Sequence, residues 1–162
     1  MSGCASAPKV SPRMSDQMRQ MAELRDTCTQ YAAWAARSLP ADSAELRRVQ
    51  VLYIEASAAA NSYVEALQFD VAVGLPASPD QYEDVAKRVH DSSDAFLKEA
   101  RRSLGVSQTR GLPLLLIPLV DSLLDLSQKI GDSMNARDKQ ERDLVVKALA
   151  DKKWKPFNEL TP

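Results

Sequence analysis

Asp42-Ser43-Ala44-Glu45-Leu46-Arg47-Arg48-Val49 opens the stretch that decides the fold, and Phe69-Asp70-Val71-Ala72-Val73-Gly74 closes it. Asp42 and Glu45 have the spacing of an N-cap and its N3 partner, a capping-box arrangement with Asp as the cap. Apolar residues then recur at Leu46, Val49, Tyr53, Ala56, Ala60, Tyr63, Leu67 and Val71. Steps of three and four over that many turns describe a helix packed on neighbours. Gly74 falls at the C′ position, where a left-handed residue ends a helix. Ala56, Ala58, Ala59 and Ala60 form a thin waist that lets a second helix approach closely.

Three further stretches read the same way. Ser78-Pro79-Asp80-Gln81 places a serine cap, a proline at N1, an acid in the first turn and Gln at N3. The stripe Tyr82, Val85, Val89, Ser93, Phe96, Ala100 and Leu104 follows, and Gly105 closes it. Upstream, a helix is expected from the cap Ser15 to about Ser38, with Met14, Met18, Met21, Leu24, Cys28, Tyr31 and Trp34 or Ala35 as its apolar marks. Leu39-Pro40 stops it, because the residue before proline is pushed out of the α region. Downstream of Pro113 the seam is Leu116, Leu119 or Val120, Leu123, Leu126, Ile130 and Met134, with Pro118 bending it or marking its beginning. Arg137, Asp138 and Glu141 then occupy seam positions before Leu144, Val145, Ala148 and Leu149 resume it. One long bent helix is the preferred reading, and a break near 131–135 is the alternative. No alternating strand pattern of useful length appears. The expected fold is an all-α, antiparallel up-and-down four-helix bundle with a bent or broken long C-terminal helix. Residues 15–157 would form the bundle, preceded by residues 1–14 as a tether and followed by 158–162 as a tail.

Composition sets limits on function. The 162 residues are 27% charged and 44% apolar with a formal net charge of −1, ordinary for one globular domain and without a global field to attract nucleic acid. The longest apolar run, Leu112 to Val120, carries Pro113 and Pro118 and falls far short of the ~18 residues that span a bilayer. Basic pairs at Arg47-Arg48, Arg101-Arg102 and Lys152-Lys153 lack interleaved aromatics, and the last two sit at expected helix C-termini, where cations complement the dipole. No nucleic-acid partner is expected.

The chain has one histidine, His90. The Glu-x-x-His motif of di-iron bundles is absent, since Lys87 stands three residues before it, and so is Cys-x-x-Cys-His. Met14, Met18 and Met21 read as core packing and not as haem ligands. His90 and Asp94 share a helix face, with Asp91 beside them; a surface histidine bonded to a carboxylate is preferred over half a metal site. There is no Gly-x-Ser-x-Gly elbow and no Gly-rich phosphate loop. The expectation is therefore a binding protein with no catalytic residues, no metal and no cofactor. Glu83–Lys87, Asp84–Arg88, Asp94–Lys98, Asp138–Arg142 and Asp143–Lys147 are i,i+4 pairs with the acid first, as exposed helix faces favour. In Lys153-Trp154-Lys155-Pro156-Phe157, Trp154 and Phe157 are candidate partner-contact residues; the preferred alternative is that both rings fold back to cap the bundle.

Ser2-Gly3-Cys4, followed by Ala5-Ser6-Ala7-Pro8, resembles the end of a bacterial lipobox, the Leu-(Ala/Ser)-(Gly/Ala)-Cys pattern at which lipoprotein signal peptides are cut. Met1 stands where that pattern has leucine, and the chain would then begin just upstream of the cleavage site. The resemblance implies that Cys4 becomes the acylated first residue, with the membrane as a partner through its acyl anchor. It also implies that Ala5, not being the Asp that retains lipoproteins at the inner membrane, sends the protein to the periplasmic face of the outer membrane. Residues 5–14, with Pro8 and Pro12 among small residues, would be the tether. An accessory subunit of an envelope machine or an immunity-type protein fits that address. A cytoplasmic helical adaptor with an incidental Cys4 is the alternative. Burial is favoured for an unpaired Cys28 if Cys4 carries lipid, and a Cys4–Cys28 bridge is open to the chain if it does not.

Overall fold

The computed structural model describes residues 12–73, 79–106, 119–134 and 139–160, and every regular element among them is helical. The elements are α1 (Pro12–Ser38), α2 (Ala44–Val73), α3 (Pro79–Leu104), α4 (Leu119–Met134), α5 (Lys139–Ala150) and a 3-10 turn at Phe157–Glu159. Cys4, the cap and closing residues Ser78 and Gly74, and the expected start at Pro113 lie outside the described residues.

α2 is the central strut, packing on α3 along its length and on α5. Its eight apolar marks fall where the periodicity puts them: all are buried except Leu46, which is half-buried near the helix start. The cap differs from expectation. Ser43, not Asp42, holds the N-terminus, its hydroxyl accepting the Leu46 N–H at 3.1 Å. The turn Leu39–Asp42 explains the shift, since the Ser43 N–H donates to the Pro40 carbonyl and delays the first helical residue to Ala44.

α3 begins at Pro79, the N1 position expected of it. It ends in a Schellman motif: Gly105 has φ +68°, the Val106 N–H reaches the Arg101 carbonyl at 3.0 Å and the Gly105 N–H reaches Arg102 at 3.2 Å. Its buried face is Tyr82, Ala86, Val89, Ser93, Phe96, Leu97 and Ala100. Val85, expected inside, is half-buried at the flank, and Ala86 takes its place.

α1 starts at Pro12, three residues before Ser15, and Met14 is already buried. Its seam continues from Cys28 through Ala32 to Ala35, while Tyr31 and Trp34 pack their rings together on the flank at 6.0 Å. Buried Ala32, Ala35, Ala56, Ala60, Ala86 and Ala100 keep the helices close, and Tyr53, Tyr63 and Phe96 fill the gaps between them.

The C-terminal half is two helices and not one bent one. Gln17 meets Asp125 and Gln20 meets Ser122, so α4 runs antiparallel to α1. Gln68 meets Val146 and Asn61 meets Trp154, so α5 runs antiparallel to α2. Because α1 and α2 fold back on each other at Pro40, α4 and α5 point in opposite directions. The break has a physical reason. Ile130 is the last buried residue among the described side chains of α4, and a straight continuation would carry Val145 and Leu149 past the bundle, whereas reversal buries both.

Candidate functional site

Past Ala150 the chain forms a strap that lies back across α2. The Trp154 N–H donates to Asn61 Oδ1 at 2.8 Å, and Asn61 Nδ2 donates to the Trp154 carbonyl at 3.3 Å. The Tyr53 hydroxyl donates to the Lys155 carbonyl at 2.8 Å, and burial pushes this phenol up to about 12. Tyr53 also stacks edge-on with Phe157 at 5.8 Å and lies 5.7 Å from the Trp154 ring. Trp154 is 5% exposed, and Phe157 and Leu160 pack against the core. The rings of Trp154 and Phe157 therefore fold back on the bundle, as the preferred reading of this stretch has them.

Under the strap lies an apolar crevice of about 10 Å³, lined by Met21, Leu24, Tyr63, Val89, Leu123 and Trp154 among others. That is room for about one water and not for a metabolite. The Tyr63 hydroxyl beside it is tied to Ser127 and to the Leu123 carbonyl, and burial raises its pKa.

The titratable candidates are placed apart. His90 is half-buried on α3 and its Nδ1 lies 3.0 Å from Asp91, while Asp94 pairs with Lys98 at 2.7 Å. The neighbour of the histidine is thus Asp91 and not the i+4 carboxylate. Met14, Met18 and Met21 are core residues. No group of three potential metal ligands occurs among the described residues. Cys28 is fully buried and free, and burial raises its thiol pKa.

One cation of each basic pair meets a carboxylate. Glu99, on α3, accepts from Arg102 at 2.6 Å, from Arg48 of α2 at 3.0 Å and from Ser103 at 3.3 Å. Arg102 first, then Arg48, hold its carboxyl down to about 2 against the opposing effect of burial. Arg101 is nearly buried, and Lys153 pairs with Glu65 at 3.1 Å. No family of known proteins matches this chain, and neither a curated protein nor a solved structure is significantly similar to it.

What the periodic reading passed over is the outer face of α2. Val51, Ile54, Phe69 and Val73 are exposed, Phe69 by 66%. Ala58 lies among them. The signal was present in the sequence: apolar residues occupy both phases of the α2 helical wheel, and a search for one buried stripe reads only one phase.

Proposed function

We propose that this chain is a lipid-anchored protein of the bacterial cell envelope that acts by binding another protein and not by catalysis. The observation that carries the address is Ser2-Gly3-Cys4 followed by small residues. Acyl chains on Cys4 would hold the domain at the membrane, each buried CH₂ contributing roughly 0.8 kcal/mol. Ala5 after the cysteine favours the periplasmic face of the outer membrane. No described helix is long and apolar enough to cross a membrane, so lipid supplies the attachment in this reading. α1 to α4 act as an up-and-down bundle, with α5 and the strap closing it. The exposed apolar residues of α2 support the binding half of the reading, because a helix facing only solvent carries polar residues there.

The test is cell fractionation of a bacterial host expressing the gene with its native upstream sequence. The wild-type protein should enter the membrane fraction and incorporate a labelled fatty acid, and Cys4→Ser should do neither. Equal behaviour of the two would replace this reading with the cytoplasmic adaptor.

A further inference from the structure

Six large apolar residues are exposed among the described ones, and three of them stand at one end of the bundle: Phe69 (66%), Val73 (46%) and Leu144 (41%). α4 ties the levels of α1 and α2 together, since Gln17 meets Asp125 and the Tyr63 hydroxyl lies 2.7 Å from Ser127. Toward the same end from those levels lie Pro12, five residues before Gln17, and Phe69, six residues after Tyr63. Gln68 donates to the Val146 carbonyl at 2.9 Å, which puts Leu144 of α5 level with Phe69 and Asp70. The end that carries these three side chains is therefore the end at which α1 begins.

We infer that this end of the bundle is a membrane-docking surface, where Phe69, Val73 and Leu144 enter the acyl boundary of a bilayer. Lipid is the occupant on the reading that Cys4 is acylated. Seven residues separate Cys4 from Pro12, and fully extended they reach at most ~25 Å. α1 itself, at 27 residues, is about 40 Å long. The link is thus shorter than the helix it precedes, and it holds the Pro12 end near the lipid while Trp34 stands most of a helix length farther off. Anchoring also makes the contact intramolecular, so a few apolar side chains suffice where an unanchored protein would need a larger face. Charge contributes little. Asp16 and Arg19 of α1 lie 3.6 Å apart, and Asp70 of α2 with Asp143 and Lys147 of α5 mix the signs. Glu65, one turn above Phe69, is paired with Lys153. Ile54 is 15 residues before Phe69, about 22 Å along the helix, and with Val51 stays in water for a protein partner.

The experiment supplies the anchor chemically, so that it tests the docking surface whether or not cells acylate Cys4. The full chain is coupled through Cys4 to a maleimide-bearing lipid in phosphatidylcholine vesicles; Cys28 is fully buried and does not compete. In a Trp34→Phe background, Phe69→Trp or Ile54→Trp adds one reporter to the buried Trp154. Acyl chains brominated near the headgroup quench a reporter that enters them. The Phe69→Trp protein should lose roughly half of its added emission or more, and the Ile54→Trp protein almost none. Val73→Ser with Leu144→Ser should weaken the quenching in the Phe69→Trp chain, with circular dichroism confirming that the helices remain. Phosphatidylglycerol vesicles should give the same result, because apolar contact and not charge holds the surface. An unquenched Phe69→Trp protein would overturn the inference, whether that end is left in water or covered by another protein. So would equal quenching of the two reporters, which would lay α2 flat on the bilayer, or quenching confined to phosphatidylglycerol. Fractionation of Cys4→Ser fails separately, since it reads acylation in cells and not which end of the bundle meets lipid.

Discussion

Asn61 holds Trp154 by both polar groups of that residue's backbone, accepting from its N–H at 2.8 Å and donating to its carbonyl at 3.3 Å. One side chain on α2 thus does for the strap what a neighbouring strand would do, and it fixes the indole over Tyr53. Asn61→Ala strands both backbone groups and should cost about 1–3 kcal/mol in urea unfolding. Asn61→Asp keeps the acceptor for the N–H and should cost less. In a Trp34→Phe background, fluorescence reports Trp154 alone, and its emission should shift to the red in Asn61→Ala before global unfolding begins. An unchanged emission maximum and midpoint would mean that ring packing alone holds the strap.

The cap of α2 makes a second distinction. Ser43 accepts the Leu46 N–H, whereas Asp42 contributes its backbone carbonyl to Arg47. Ser43→Ala should therefore destabilise the protein by about 0.5–2 kcal/mol, and Asp42→Ala should do so much less. Comparing the two midpoints in the same denaturant checks this, and the reverse order would return the cap to Asp42.

Much of this architecture was legible because it is local. Pro79 at N1, Gly105 at C′ and the seam from Val49 to Val71 are set by neighbours within a few residues, and each falls where its spacing puts it. Val85 and Ala86 show the limit: adjacent residues compete for one seam position, and packing against α2, not hydrophobicity, admits the smaller one. That Trp154 and Phe157 fold back was the preferred reading of their stretch, but the anchor was beyond local reading, since Asn61 and Trp154 are 93 residues apart. So was the reversal between α4 and α5, which is decided by where α2 leaves room for Val145 and Leu149. The outer face of α2 was legible but unread, because one helical period was matched to one buried stripe.

Acid should loosen the α2–α3 contact through Glu99. Its carboxyl is held to about 2 in the folded protein by Arg102 and Arg48, against an ordinary value of 4.5. Between those values the unfolded chain binds the proton and the folded one does not, so stability falls as pH falls through that window. The contribution is complete above about pH 4.5 and gone below about pH 2. Glu99→Gln should flatten the pH dependence of the thermal midpoint between these limits and leave its shape above pH 5 nearly unchanged. A variant whose acid sensitivity matches wild type would place the titration elsewhere.

Cys28 should be chemically silent in the folded protein. It is fully buried in the α1 seam, and loss of solvation raises its pKa, so neither access nor thiolate is available to an electrophile. In a Cys4→Ser chain Cys28 is the one remaining thiol. Ellman's reagent should then give no signal under native conditions and one equivalent after denaturation. In urea below the unfolding midpoint the rate should rise with denaturant, because each reaction waits for α1 to open. Asn61→Ala should leave that rate less affected than a core change such as Leu126→Ala, which removes a fully buried side chain at a cost of about 2–5 kcal/mol. Prompt labelling of the native protein would show that α1 opens at Cys28 without the rest of the bundle.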